Sequence, residues 1–332
     1  MGDESPYKLS ARFPQASWRL FGAAIAIVPI WLGCASSPEA CPLIPPPRTD
    51  LPERGISAHR GGLLGCPVNT VEAFPRAICR GVHQIELDVR ATADDVIVVA
   101  HDDHVTGQDQ TLHISESTFD QIKDLDLTPC KGETKAQHIP TLEQALAIMP
   151  QNIWINVDIK NNDPRVAKLV AETVAKTRRF DQVIFAARDK AAPAIRQVAE
   201  KAGQKSLIAN MSREMFRFQY IDATIDSCAE FIQLASMPYV PFVRGTPNQN
   251  TMDRLKNAGV RVNYSWLSEE NEGKLKKKLQ DLFYRRVDFV LVDHVDQAMN
   301  AADTLGIPPL VPRWNRSLLP TGAEPPLCPS TQ

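Results

Sequence analysis

The residues able to do chemistry are concentrated between positions 59 and 160: His59-Arg60-Gly61, Glu86-Leu87-Asp88, His101-Asp102 and Asp158-Ile159-Lys160. Side chains alternate along a strand, so Glu86 and Asp88, two apart in the apolar run from Gln84 to Val89, project to the same side. Paired carboxylates repel one another unless a cation lies between them, and a hard cation such as Ca²⁺ or Mg²⁺ takes oxygen ligands. Asp158, closing another apolar run, can add a third oxygen. A histidine, with an unperturbed pKa of roughly 6.5, gives or takes a proton near neutral pH. Two of them, His59 and His101, could divide the labour on a phosphate ester, one deprotonating the attacking hydroxyl or water and the other protonating the leaving oxygen. Arg60 and Lys160 place positive charge where a phosphate gathers negative charge in the transition state.

Strand ends are what must hold these groups. Apolar, β-branched runs predict strands near 55–59, 84–89, 96–100, 153–159, 182–187, 206–210, 231–235, 261–266 and 288–293. Helical patterns begin near Thr70, Thr141, Pro164, Ala191, Arg213, Pro247, Ser268 and Asp296. This alternation is that of an α/β fold with a parallel sheet. The residues from Arg90 to Asp95 are too few for a parallel crossover, so 84–89 and 96–100 are expected to form a hairpin-like excursion that returns His101 to the site. The segment from Asp103 to His138 carries one weak helix signal and is expected to be an insertion or lid over the active site.

The chain resembles a known family at several points in order. Ile56-Ser57-Ala58-His59-Arg60-Gly61-Gly62, Asn69-Thr70-Val71-Glu72-Ala73-Phe74, Ile85-Glu86-Leu87-Asp88-Val89 and Val98-Val99-Ala100-His101-Asp102 look like the glycerophosphodiester phosphodiesterase family. Ile139-Pro140-Thr141-Leu142, Asp158-Ile159-Lys160 and Val290-Leu291-Val292-Asp293 continue the similarity, which runs from about Ile56 to Thr304. The resemblance implies a TIM (β/α)8 barrel, for which the nine strand candidates leave one in excess. It implies metal-dependent hydrolysis of glycerophosphodiesters to glycerol 3-phosphate and an alcohol. His59 and His101 would be acid and base; Glu86, Asp88 and Asp158 would hold Ca²⁺ or Mg²⁺; Arg60, Asn69 and Lys160 would contact the phosphate. Three positions depart from the family pattern. Val68 stands where a glutamate is usual, Asp158 is one methylene shorter than the usual glutamate, and Asp103-His104-Val105-Thr106-Gly107 replaces an Arg-Thr-Thr run.

With 332 residues the chain is long enough for one barrel of about 250 residues, placed at 54–311. A net charge of −2 gives no basic field and argues against nucleic acid as partner. Lys274, Lys276, Lys277 and Lys278 read as a solvated helix face rather than a lipid contact. Residues 1–34 read as a signal: Lys8, Arg12 and Arg19 precede an apolar run from Leu20 to Gly33, too short to span a bilayer as a plain helix. Its end, Trp31-Leu32-Gly33-Cys34, resembles a bacterial lipoprotein signal that would lipidate Cys34 and tether the protein to a membrane; cleavage near Ala40 or an uncleaved anchor are the other readings. All three export the catalytic part to the periplasm or cell envelope. Residues 35–53 are a proline-rich spacer and 312–332 an irregular tail. Cys41, Cys66, Cys79, Cys130, Cys228 and Cys328 form an even set that oxidising conditions would pair, with buried free thiols the equal alternative.

His83, His104, His113, His138 and His294 read as structural, with His104 and His138 kept as secondary site candidates because they border the insertion. Tyr264 and Trp266 would either stack on the alcohol of a substrate or pack the core. Two activities besides glycerophosphodiester hydrolysis fit the same residues: phospholipase-D-like action on lysophospholipids, and a non-catalytic phosphodiester-binding envelope lipoprotein.

Overall fold

The apolar runs alternate with polar residues on the opposite strand face, and this pattern closes the sheet on itself. A computed structural model describes residues 48, 50–107, 110–212, 217–235, 249–314 and 328. The signal-like segment with Cys34, most of the spacer, Cys41 and the expected helix starts at Arg213 and Pro247 lie outside the described residues. The strands are β1 (Gly55–Ala58), β2 (Gln84–Ala91), β3 (Ile97–Val99), β4 (His104–Thr106), β5 (Thr111–His113), β6 (Trp154–Ile159), β7 (Val183–Ala187), β8 (Leu207–Asn210), β9 (Phe231–Ala235), β10 (Arg261–Leu267) and β11 (Phe289–Val292). Eight of them, β1-β2-β6-β7-β8-β9-β10-β11, pair in parallel, and β11 pairs with β1 to close the ring. With the helices between them this is a TIM (β/α)8 barrel. The ninth expected strand, β3, lies antiparallel on β2, with Val89 opposite Val99. It is the anticipated hairpin.

Helices α1 (Ala73–Cys79), α2 (Phe119–Ile122), α3 (Leu142–Ala147), α4 (Pro164–Lys176), α5 (Ala192–Lys201), α6 (Arg217–Asp226), α7 (Gln249–Asn257), α8 (Glu272–Tyr284) and α9 (Val295–Thr304) follow. Local chemistry sets where several start. Thr141 and Gln144 exchange capping hydrogen bonds at α3, and the Asp163 carboxylate accepts the Arg165 N–H before Pro164 opens α4. α8 begins four residues after Ser268 because Asn271 is the residue whose side chain accepts the Lys274 N–H. Outward-facing Ile85, Leu87, Val89, Ile155, Val157 and Ile159 are buried under the helices, each such side chain contributing about 1.5–3 kcal/mol. Inward-facing residues of the same strands, Glu86, Asp88, Asn156 and Asp158, remain polar.

The N-terminal mouth of the barrel is plugged. Leu51, the last apolar residue of the proline-rich stretch, is buried against Trp154, Ile184, Phe231 and Phe289, and Trp154 Nε1 donates to the Pro52 carbonyl at 2.8 Å. The beginning of the expected C-terminal tail is also docked: Trp314 Nε1 donates to Ile148 O at 3.1 Å, and Cys328 is disulfide-bonded to Cys79. Cys66 bonds Cys130 across 64 residues, a span for which chain-entropy reasoning assigns about 4 kcal/mol of stabilisation. Cys228 is disulfide-bonded as well. Cys66–Cys130 ties the inserted segment to the loop after β1. That segment is more ordered than its sequence suggests, with the β4–β5 hairpin, α2 and an apolar cluster of Val105, Ile114, Ile122, Leu125 and Ile139 packed on Val98. Its strands are three residues long, too short to show periodicity.

His83 bears out its structural reading. It is buried; Nδ1 accepts the Ile56 N–H at 3.2 Å and Nε2 donates to the Pro308 carbonyl at 3.0 Å. Burial lowers its pKa to about 4, opposed in part by that carbonyl. The unfolded chain therefore binds a proton near 6.5 that the folded chain refuses. Stability from this site is present in full above that value and is lost as pH falls toward 4, by up to about 3 kcal/mol. Urea unfolding at pH 7 and pH 4.5 checks this: His83→Gln is expected to flatten that part of the acid dependence, and an unchanged slope would refute it.

Candidate active site

Every residue singled out for chemistry reaches the C-terminal end of the barrel, where strand ends and following loops meet. β2 and β6 are in register with Glu86 beside Asn156 and Asp88 beside Asp158, which brings Glu86, Asp88 and Asp158 together with ligand oxygens all within 4.8 Å of one another. Asp88 is wholly buried and surrounded by donors. Asn69 Nδ2 donates to Oδ2 at 2.8 Å, Arg60 Nε lies 3.0 Å from the same oxygen, and Lys160 Nζ lies 2.6 Å from Oδ1. Lys160 Nζ also donates to Asp158 Oδ2 at 2.8 Å. Two residues in left-handed backbone, Arg60 (φ 55°) and Asn69 (φ 60°), make this possible. Arg60 thereby donates its backbone N–H to Glu86 Oε2 at 3.0 Å, and the Asn69 N–H is taken by the Arg60 carbonyl at 2.8 Å. Strain of this kind is retained where the surroundings hold it.

The carboxylates differ in proton affinity for identifiable reasons. Burial first, then the charges of Asp88 and Asp158, push Glu86 well above the usual carboxylate range against the opposing pull of Lys160. Burial also pushes Asp88 upward, but Lys160, Asn69 and Arg60 together outweigh it and leave its carboxyl below the usual range. Lys160 is held above the usual lysine range: burial would lower it, and Asp158 and Asp88 more than compensate. Three clustered carboxyl groups, one of them driven by burial and by its neighbours' negative charge to hold its proton, fit a hard divalent cation.

The two histidines stand at the ends of β1 and β3. His59, in the short 3-10 turn after β1, has Nδ1 2.7 Å from Asp293 Oδ1, and Asp293 directly follows β11. His101 has Nδ1 2.9 Å from Asp102 Oδ1; its chain position is held by Ala100 N–H donating to Asp88 O at 2.9 Å and by Arg90 Nε donating to His101 O at 2.9 Å. The hairpin thus returns His101 to the rim. Both histidines line one cavity of about 430 Å³ with Arg60, Glu86, Asp158 and Lys160.

Asn69 is placed differently from its expected role. Its amide is spent on Asp88, donating to the carboxylate and accepting the Asp88 N–H at 3.3 Å, and it is absent from the cavity lining. In this arrangement its amide orients the Asp88 carboxylate. Val68 does line the cavity. So do Asn156, Gln233, Ser265 and Asp293, to which the sequence assigned no role; the signal for the first three is a polar residue within an apolar strand, and for Asp293 an acidic residue directly after one. The described residues of the insertion do not line the cavity, although Leu63 and Val68, on the loop the disulfide anchors, do. Tyr264 is buried in the core cluster, and the Trp266 side chain lies outside the described residues. His104 and His138 are not among the lining residues either.

The family model described as glycerophosphoryl diester phosphodiesterase matches residues 59–297. A glycerophosphodiester phosphodiesterase of Caldanaerobacter subterraneus subsp. tengcongensis is 37% identical over 112 residues, covering 32% of this chain and 45% of that protein. The human protein named lysophospholipase D GDPD1 is 33% identical over 132 residues, covering 37% and 41%. The chain thus spans about half the length of the curated relatives it matches. Among solved structures, a putative glycerophosphoryl diester phosphodiesterase of Silicibacter pomeroyi superposes with a TM-score of 0.62 at 16% identity, over 81% of this chain and 97% of that one. An Oleispira antarctica phosphodiesterase in complex with the product sn-glycerol-3-phosphate gives 0.57 at 20% identity, over 76% and 97%. At these identities the structural likeness carries the fold.

Proposed function

Given that the chain belongs to the glycerophosphoryl diester phosphodiesterase family, we propose that it hydrolyses glycerophosphodiesters to glycerol 3-phosphate and an alcohol. The observation that carries this reading is the meeting on one cavity of two histidines, Glu86, Asp158, Arg60 and Lys160, with Asp88 buried behind them, clustered with the other two carboxylates and paired with both cations. Glu86, Asp88 and Asp158 would hold a divalent cation, Ca²⁺ or Mg²⁺, which when bound supplies Lewis-acid polarisation of a phosphoryl oxygen. Arg60 and Lys160 compensate charge on the phosphate.

His59 suits the base. With Nδ1–H donated to Asp293, proton exchange falls to Nε2, and the carboxylate stabilises the imidazolium that forms. His101 suits the acid: its side chain is 39% exposed against 17% for His59, which places it where a leaving alcohol departs to solvent. The attacking group can be a hydroxyl of the substrate's own glycerol, whose effective concentration beside the phosphorus is high. Water then opens the cyclic phosphate.

Phospholipase-D-like action on lysophospholipids is a second reading, favoured by the apolar lip of Leu63, which is 54% exposed, and Val68. Export to the cell envelope, with a possible tether at Cys34, is supported by the disulfides of Cys66, Cys79 and Cys228, since such bonds persist in oxidising compartments.

Purified protein incubated with glycerophosphocholine or lysophosphatidylcholine, with Ca²⁺, Mg²⁺ or EDTA, tests the reaction. Glycerol 3-phosphate release that EDTA abolishes supports hydrolysis, and preference between the two substrates decides between the readings. Cation binding without turnover of either would leave the binding-protein alternative. Mass spectrometry of the mature N-terminus tests lipidation of Cys34.

A further inference from the structure

Beside Glu86, and two residues short of Asp158 along β6, the cavity carries polar atoms without a partner. Asn156 is 1% and Gln233 2% exposed, both line the cavity, and Asn156 Oδ1 and Gln233 Oε1 have no hydrogen-bond partner. Leaving a buried polar group unsatisfied costs about 1–3 kcal/mol, a penalty removed once a ligand or water reaches it.

Their placement is specific. Asn156 sits beside Glu86 in the β2–β6 register, two residues before Asp158 on the same face of β6. β9, which carries Gln233, stands four places from β2 in either direction around the ring, so Gln233 comes from the wall opposite Glu86. Between β6 and β9, the strands β7 and β8 present Ala186 and Ala209, paired in register; side chains this small leave room. The charged groups of the cavity suit phosphate. Asn156 and Gln233 are themselves neutral, and an amide both donates and accepts, as a hydroxyl does.

Other unpartnered groups, Gln84, Asn263 and Ser57 Oγ, do not line the cavity. They belong to the sealed barrel interior, where ordered water satisfies such atoms. Arg60 Nε also lacks a hydrogen-bond partner on this cavity, but it lies 3.0 Å from the Asp88 carboxylate; among the described residues, Asn156 and Gln233 are the neutral lining side chains with an unpartnered atom.

We propose that Asn156 and Gln233 form a polyol subsite that reads the free hydroxyls of the glycerol unit and so selects glycerol phosphates over other phosphate esters. This inference rests on the cavity being a glycerophosphodiester site. It adds to that reading the residues that recognise the part of the substrate away from the phosphorus. A site built around hydroxyls discriminates against analogues lacking them because its own polar groups are then left unpaired.

The test is calorimetric titration of the full chain, supplied with divalent cation, with sn-glycerol 3-phosphate and with inorganic phosphate. The wild-type protein is expected to bind the glycerol ester at least about 10-fold more tightly, one such hydrogen bond being worth roughly a factor of ten. Asn156→Leu and Gln233→Met are each expected to remove most of that gap while leaving phosphate affinity within about three-fold, an unpaired contact being all that is lost. The methionine variant keeps the side chain's length and carries the test if the leucine variant does not fold. Equal affinity of wild type for the two ligands, or an equal loss for both in the variants, would overturn the subsite and leave the amides as holders of buried water. Turnover of glycerophosphocholine is measured separately. Its absence with the affinity gap intact would sink the proposed reaction and leave the polyol subsite standing.

Discussion

His59→Ala is expected to lower kcat on glycerophosphocholine by about 10²- to 10⁴-fold, the usual worth of a positioned general base. The size of the effect follows from how firmly the ring is held. Asp293 Oδ1 is 2.7 Å from Nδ1, which fixes one tautomer and one orientation, and both side chains are largely buried. His59 is not one of the three clustered carboxylates, so the thermal shift produced by adding Ca²⁺ or Mg²⁺ should survive its removal. That pairing of results, lost turnover with retained cation binding, separates a proton-transfer role from a metal-holding one. Asp293→Asn should fall between wild type and His59→Ala, because the ring remains but its imidazolium loses a counter-charge. A His59→Ala variant keeping more than about a tenth of wild-type kcat would be incompatible with base catalysis by this residue.

Asp88→Asn is expected to damage both stability and cation binding. Asp88 is 0% exposed and holds Arg60 at 3.0 Å and Lys160 at 2.6 Å; removing one partner of a buried ion pair costs about 3–5 kcal/mol. Asp158→Asn should cost less stability, because Asp158 is partly exposed and shares Lys160 with Asp88. Urea unfolding without cation, repeated with saturating Ca²⁺, reads both consequences. The wild type should gain stability from the cation and Asp88→Asn should not. Since the Asp88 carboxyl is held below 3.8 in the fold, its contribution is present above that value and is lost as pH falls through the lower folded value. Glu86 works in the opposite sense. Its carboxyl is raised above 4.5, so the cation-free fold loses stability as pH climbs from there, and cation binding, which displaces the proton, should strengthen with pH. Cation stabilisation of Asp88→Asn equal to that of wild type would remove Asp88 from the ligand set.

The parts of the site that could be read from the chain are those whose positions depend on a single strand. Glu86 and Asp88 share a face because strand side chains repeat every two residues, and that holds wherever the strand is placed. The excursion at β3 followed from loop length alone: six residues cannot carry a parallel crossover. The family resemblance makes Asn69 a phosphate contact, yet its amide is engaged by Asp88. The reason is the left-handed backbone at Arg60 and Asn69, which turns one side chain back onto β2 and is invisible in residue types that do not demand it. The insertion likewise carried too little periodicity to reveal that it folds around its own small core and is tied down by Cys66–Cys130.

What the sequence by itself determined is the inventory and its order: strand candidates alternating with helices, two histidines and three carboxylates at strand ends, and two cations beside them. Local periodicity and turn chemistry suffice for that. Only closure of the barrel decided which distant groups meet. It set Asp293 against His59 across 234 residues, made Lys160 a bridge between Asp88 and Asp158, and brought Asn156 and Gln233 to one cavity. The pairing of β11 with β1 and the register of β2 on β6 are long-range events, and no local pattern along the chain encodes the distances they produce.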